Sequence, residues 1–216
     1  QEADLTSKAR RILGELELPL APGGYYRFSA DGGEPQYLRC PSVLLGSFPI
    51  HHLPADEALR RSFEHELRRI VFLFAWLPHQ ASIVASQLQR KDGPMSAYAI
   101  LKNADPFYKT WHAYDEWENR RAARAATFVT GAGGFCTALH AMLLAETAPS
   151  QWSLFPGIPE HWTDLEFNHL HTRHGWRVSA RLEDGSVVSC RAEPAHESAV
   201  PQCVLLFGKQ RFRFTR

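Results

Sequence analysis

The residue types best suited to chemistry lie together in one short stretch, residues 111–120, with the sequence WHAYDEWENR. Its acids are Asp115, Glu116 and Glu118, and its aromatic residues are Trp111, Tyr114 and Trp117. Hydrolysis of a glycosidic bond normally uses two carboxyl groups, one as acid and one as base or nucleophile. Aromatic side chains offer flat apolar faces to a sugar ring, while polar neighbours bind its hydroxyls. The stretch therefore has the residue types that a carbohydrate site requires.

A simpler interpretation competes with this one. The three acids could lie on a solvated loop and pair with the basic residues around them, Lys109, Arg120 and Arg121. For an acidic loop considered alone, this second interpretation is the favoured one, because exposed acids beside bases are common on protein surfaces.

Three histidines suggest a metal site, namely His169, His171 and His174. Alternation along a strand would place His169 and His171 on one face, as two zinc ligands would be. No carboxylate or cysteine stands at a convincing spacing from them. We interpret them as surface histidines and expect neither a metal nor another cofactor.

The glycines at positions 131, 133 and 134 open an apolar segment and could be mistaken for a phosphate-binding loop. A P-loop would need a Lys-Ser/Thr pair and a strand before the glycines, and this sequence has neither. A tight turn followed by a closely packed helix is the better prediction.

The bulk composition limits the class of protein. The chain has 216 residues, a formal charge of +1, 44% hydrophobic residues and 22% charged residues, which are values typical of a folded domain with a core. This charge gives no reason to expect nucleic acid. The longest apolar run, residues 70–77, is too short to span a bilayer. We expect no nucleic-acid and no membrane partner. Residues 1–20 lack the features of a signal peptide, but the sequence begins inside a predicted amphipathic helix, so an earlier segment could have been lost and the compartment stays open.

The cysteines at positions 40, 136, 190 and 203 form no CxxC pair, which argues against a zinc ribbon and a thioredoxin-like motif. Cys136 lies in an apolar segment and is predicted to be a small core residue. A bridge between Cys190 and Cys203 is an alternative that no sequence feature demands.

The elements that would position these residues are helical up to about residue 148. Apolar spacing predicts helices over residues 3–17, 56–69, 78–90 and 95–103, and a further helix from the glycines to near Ala148–Pro149. Asp92-Gly93-Pro94 joins two of these helices by a short connection, which predicts an antiparallel αα-hairpin.

From Leu165 onward the period changes from helical to alternating. The residues predicted to share one face of a strand are Trp176, Val178, Ala180 and Leu182. Asp184-Gly185 and Gly208-Lys209 each separate two alternating runs, which predicts two hairpins. We expect them to form a small antiparallel sheet.

Taken in order, these pieces resemble a known group of enzymes. The αα-hairpin, the acid-and-aromatic stretch, TGAGGF (residues 130–135), LFPGIPEHW (residues 154–162) and a Gly-Trp strand follow one another as in the C-terminal half of the (α/α)6-barrel glycoside hydrolases. The family 65 glucosidases and sugar phosphorylases are the most similar, and the family 95 fucosidases are more distant. SVLLGSFP (residues 42–49) is similar to the apolar segment before one of the inner helices.

This resemblance implies a mainly α fold with a β C-terminal module. Residues 1–162 would form a partial (α/α)6 toroid, and residues 163–216 a small antiparallel β-sheet domain that caps it. A closed toroid needs many more helices than the periodicity indicates, and the general acid of these families has no counterpart in the chain. Thr130 stands where family 95 has an aspartate. We therefore expect an incomplete enzyme, whose partner is the missing N-terminal half.

The resemblance also implies the chemistry, an inverting acid/base reaction on an oligosaccharide or glycoconjugate. In family 65 glucosidases a Trp-x-Glu motif at about this distance before the glycines holds the general base, which implies that role for Glu118. Because Glu118 follows Trp117 directly, Glu116 is a rival. Trp117 and Tyr114 would pack on the sugar, while Asp115 and Glu116 would bind its hydroxyls.

Several points stay open. The sugar and its linkage are undetermined, and so is the choice between hydrolysis and phosphorolysis. A non-catalytic carbohydrate-binding or interaction module is the alternative function, and a wholly structural protein is a third.

Overall fold

The computed structural model describes residues 2–15, 20–26, 56–69, 77–103, 129–148 and 150–216. Within these ranges the helices are α1 (Glu2–Glu15), α2 (Glu57–Arg69), α3 (Leu77–Gln87), α4 (Ala97–Asn103) and α5 (Val129–Leu143). The strands are β1 (Leu144–Ala148), β2 (Gln151–Leu154), β3 (Leu165–His171), β4 (Trp176–Glu183), β5 (Ser186–Pro194), β6 (Gln202–Phe207) and β7 (Gln210–Thr215).

The helices α2 to α5 share one core around α3, which is buried at every position from Pro78 to Gln87. Its neighbours α4 and α5 pack against it, so the predicted αα-hairpin of α3 and α4 is confirmed. The helix α2 begins as its sequence predicts, because the Asp56 carboxylate accepts the Leu59 N–H at 2.9 Å and caps the first turn. Glu64 links α2 to the end of α3 by accepting from Arg90 at 2.9 Å.

The strands form two sheets. The first is mixed and has the order β1-β2-β6-β7, with β2 and β6 parallel. The second is antiparallel, with the order β3-β4-β5. Both sheets bury apolar side chains in one core, and on β4 the four residues predicted to share a face, Trp176, Val178, Ala180 and Leu182, are all buried.

Both predicted hairpins are confirmed. Glu183 pairs with Ser186 across Asp184 and Gly185, whose φ angles of 47° and 70° lie in the left-handed region that a tight hairpin turn requires. In the second hairpin Phe207 pairs with Gln210. The hairpins do not form one sheet, however, because β6 pairs with β2 rather than with β5.

The predicted fold class, a mainly α chain forming a partial (α/α)6 toroid with a small cap, is wrong. The described residues form a mixed α/β structure of five short helices and two sheets, and they form no toroid. The helix predicted to reach Ala148–Pro149 ends at Leu143, and residues 144–148 are a strand. The physical reason is pairing: Leu144 lies opposite Leu154 and Ala145 opposite Ser153 in a ladder that satisfies their backbone groups. Residues 1–162 are therefore not all helical, while the domain division at residue 162 stays a prediction.

The helix α1 was predicted from an apolar stripe along one face, but two residues of this stripe, Leu5 and Ile12, are 65% and 57% exposed.

No described helix combines the length and the apolar character needed to cross a bilayer.

Candidate functional site

The acid-and-aromatic stretch lies outside the described residues, which resume at Val129. The roles given to Glu118, Glu116, Asp115, Trp111, Tyr114 and Trp117 therefore stay predictions. The structure does describe the two passages that follow this stretch, residues 130–135 and residues 154–162.

The glycine passage lies inside α5 rather than in a loop before it, because the helix begins at Val129. The prediction of close helix packing is confirmed at Gly134. A Cβ atom added there would lie 2.8 Å from Cδ2 of His79 on α3, so only glycine lets the two helices approach this closely. A Cβ atom at Gly133 would meet nothing within 4 Å.

The second passage, residues 154–162, is fixed against the end of α5. The N–H groups of Phe155 and Gly157 donate to the carbonyls of Leu143 and Met142, at 2.7 and 3.2 Å. These carbonyls belong to the last turn of the helix, where no further helical N–H is available. A Cβ atom at Gly157 would lie 2.3 Å from Oγ of Ser86, so this glycine too is required for close packing on α3.

A cleft opens where the helices meet the sheets, and we call it the junction cleft. Its volume is about 210 Å³. Its apolar lining includes Ile83, Leu144 and Trp152. The polar lining comes from α3, α5, β1 and the turn between β3 and β4, and consists of Gln87, Thr137, His140, Glu146, His171, Thr172 and Arg173.

A histidine–carboxylate pair lies beside the cleft. Nε2 of His174 is 2.9 Å from Oε1 of Glu146, and the Glu146 side chain is largely buried while that of His174 is half-buried. The imidazole of His174 also contacts the Trp152 ring edge-on, at 6.0 Å between centroids. His174 therefore contacts both a carboxylate and an aromatic ring.

The turn between β3 and β4 is held by backbone hydrogen bonds. The Thr172 N–H donates to the Trp176 carbonyl at 2.8 Å, and the Trp176 N–H donates to the Thr172 hydroxyl at 3.0 Å. Ala195 donates to the Gly175 carbonyl at 2.7 Å. Gly175 has a φ angle of 82°, a conformation that other residues adopt only with strain. The turn therefore presents His171, Thr172 and Arg173 to the cleft from a fixed backbone.

The charge state of His140 depends on its surroundings. Burial lowers the pKa of this half-buried imidazole below its usual value, and the nearby imidazole of His171 lowers it further. Desolvation and a neighbouring like charge both disfavour the protonated form. His140 is accordingly neutral at neutral pH in the ligand-free protein.

The three histidines first considered as metal ligands have separate surroundings. A bulge between Phe167 and Leu170 interrupts the strict alternation that would align His169 with His171, and His174 binds Glu146 instead. Among the described residues, no group of three or more His, Cys, Asp or Glu side chains could hold a metal ion. The prediction that all three are simple surface histidines fails for His174, which is half-buried and lies within hydrogen-bond distance of Glu146.

The thiols also differ from the sequence prediction at one point. Cys136 is exposed, so its assignment to the core is wrong. Cys190 and Cys203 are free thiols, and burial raises the pKa of Cys203 to about 12 with a smaller contribution from Cys190. The alternative of a bridge between them is not realised in this structure.

Sequence reasoning missed the junction cleft. Glu146 was assigned to the end of a helix, and nothing near it in the sequence marks His174 as its partner, 28 residues later. The β-branched Thr147 and the proline at 149 were the signals that could have indicated a strand here. In comparisons with known proteins, the chain matches no protein-family model and no curated protein.

Proposed function

We propose that this chain is the C-terminal part of a glycoside hydrolase that acts on an oligosaccharide or glycoconjugate. The observation that carries the proposal is the order of the two motif passages and their packing. Both passages hold a glycine against α3, at His79 and at Ser86. The two passages that carry the resemblance therefore pack against the same helix.

The proposed reaction is inverting. Glu118 acts as the general base that removes a proton from the attacking water, and Trp117 and Tyr114 pack against the sugar ring. Asp115 and Glu116 accept hydrogen bonds from its hydroxyls. An inverting enzyme keeps its two carboxyl groups roughly 6.5–9.5 Å apart to leave room for the nucleophile. The resemblance assigns the acid of this pair to no residue of this chain.

The test is a pair of substitutions in the natural protein that contains this chain. Glu118→Gln keeps the shape of the side chain and removes its charge, so kcat should fall by about 10²–10⁴ if general-base catalysis is lost. The KM should change little. Glu116→Gln is the matched control, and a large loss there with normal Glu118→Gln turnover would move the role to Glu116. Normal turnover in both variants would remove the stretch from the mechanism.

A second candidate function is a non-catalytic carbohydrate-binding or interaction module. The observation favouring it is the mixed α/β architecture, because the described residues do not build the central funnel of a toroid. The two functions differ in one measurement. Saccharide binding without turnover in the natural protein supports the module, and turnover that depends on Glu118 supports the enzyme.

A further inference from the structure

We propose that the junction cleft binds the oxyanion group of a small ligand, a carboxylate, sulfate or phosphate, through Arg173, His140 and His171. This site goes beyond the proposed function, which uses none of these residues. The three side chains lie on α5 (His140), at the end of β3 (His171) and in the turn between β3 and β4 (Arg173), and all three line the same cleft.

The charges around the cleft favour an anion. Among the described residues, the ionisable groups that line it or adjoin it are His140 on α5, Glu146 on β1, His171 at the end of β3, and Arg173 and His174 in the turn; α3 contributes no charged group. Oε1 of Glu146 lies 2.9 Å from Nε2 of His174, so this carboxylate already has a hydrogen-bond partner. Arg173 is always positive, and its five N–H donors can bind an anion in addition to the interaction that it already makes. Protonation of His140 adds a second positive charge.

A hydroxyl group adds an uncharged hydrogen-bond donor for the anion. The Thr172 hydroxyl accepts the Trp176 N–H at 3.0 Å and can still donate its own proton toward the cleft. Charged donors that surround an oxyanion form shorter and stronger hydrogen bonds than neutral donors.

The volume of the cleft limits the size of the ligand that it can hold. A volume of about 210 Å³ lies below the range of about 300–1,000 Å³ typical of sites for larger ligands. The apolar wall of Ile83, Leu144 and Trp152 can contact a small carbon skeleton. Both a free oxyanion and an acidic monosaccharide present the same group to Arg173, so the ligand class is an oxyanion with or without a sugar attached.

Binding of the anion must be coupled to the uptake of protons by the protein. His140 has a lowered pKa in the ligand-free protein because of burial and the nearby His171. An anion bound beside the His140 imidazole favours the charged form of that imidazole, which raises its pKa. The affinity for an anion therefore increases as the pH falls.

The experiment is calorimetric titration of the full chain with sodium sulfate, whose charge does not change between about pH 5.5 and about pH 8. We expect the association constant to be about tenfold or more higher at the lower pH, because each protonated imidazole adds a charge-assisted bond. Arg173→Gln should weaken binding about tenfold, and His140→Gln should remove most of the pH dependence. Arg211→Gln is the control, since Arg211 is exposed on β7 and is not part of the cleft lining.

Two further arms identify the source of the oxyanion. Tighter binding of glucuronate than of acetate assigns the site to a sugar-borne carboxylate, and equal binding assigns it to a simple oxyanion. If His140→Gln does not fold, the pKa of His140 is measured instead in the unsubstituted protein by NMR titration of its imidazole. The expected result is a higher pKa in the presence of sulfate. Equal sulfate affinity at both pH values, or binding unchanged in Arg173→Gln, overturns the proposal. Neither result bears on the turnover test of Glu118.

Discussion

The helical core and the β core of this protein bury different kinds of side chain. Among the described residues, eight of the nine buried polar or charged side chains belong to the helical region, and Ser153 is the ninth. The β core is built from large apolar residues such as Trp176, Phe155 and Leu205. The helical core contains four alanines and relies on close approach of its helices.

This contrast shows how each region obtains its stability. In the helical region buried hydroxyls satisfy backbone groups, as where the Ser82 hydroxyl donates to the Ala97 carbonyl at 3.0 Å and the Ser86 hydroxyl to the Ser82 carbonyl at 3.0 Å. Such bonds contribute modestly to stability and specify one arrangement. The β region gains instead from burial of apolar area. We therefore expect the β core to respond most to loss of volume, and the helical core to respond most to added volume.

The largest expected effect is in the β core. Trp176 is fully buried, and its indole N–H donates to the Val200 carbonyl at 2.9 Å. Trp176→Ala should lower the free energy of unfolding by about 3–5 kcal/mol, because it leaves a large cavity. Urea denaturation measures this, with Val188→Ala as the control because Val188 is 53% exposed. A loss below about 1 kcal/mol would contradict the account of the β core.

A smaller effect is expected where the passage of residues 154–162 packs closely on α3 and α4. Gly157→Ala would bring a Cβ atom to 2.3 Å from Oγ of Ser86 and 3.1 Å from Cβ of Ala97. This should lower the free energy of unfolding by about 1–3 kcal/mol, the usual cost of overpacking. Gly133→Ala is the matched control on α5. It meets no atom within 4 Å, so it should stabilise the helix by about 0.5–1 kcal/mol. Equal effects at both glycines would show that close packing is not what requires Gly157.

The smallest effect concerns the boundary between the two regions, where His140 lies. Its pKa is lowered from 6.5 by burial and by His171, so between the lowered pKa and about 6.5 the unfolded chain binds more protons than the folded chain. The free energy of unfolding therefore decreases as the pH falls through this window. His140→Gln should reduce that slope in denaturation measured at several pH values and leave stability near pH 8 almost unchanged. A slope identical to that of the wild type would contradict the lowered pKa.

Local signals predicted local structure well. Asp184-Gly185 determined a hairpin by its own backbone preference, and Asp56 determined the start of α2 by its own side chain. Non-local pairing was beyond the sequence. The segment 144–148 forms a strand because residues 151–154 pair with it, and β6 pairs with residues 151–154 in turn. The periodicity of a segment does not indicate which other segments will pair with it.

The same reason explains what was missed at the candidate site. The junction cleft combines side chains from α3, from the segment α5-β1-β2, and from the end of β3 with the turn after it, and these three parts of the chain lie far apart in the sequence. His140 and His171 become neighbours only after the sheets have packed against the helices. The acid-and-aromatic stretch shows the opposite case, since its residues are adjacent in the sequence and could be proposed as a site without any fold.

The proposed function is tested most directly by following the anomeric configuration of the first product by proton NMR. The natural protein that contains this chain is incubated with a panel of α- and β-linked oligosaccharides. The account predicts that the first product formed has the anomeric configuration opposite to that of the substrate, and that Glu118→Gln abolishes its formation. A first product with retained configuration, or oligosaccharide binding without any product, would contradict the proposed inverting hydrolase.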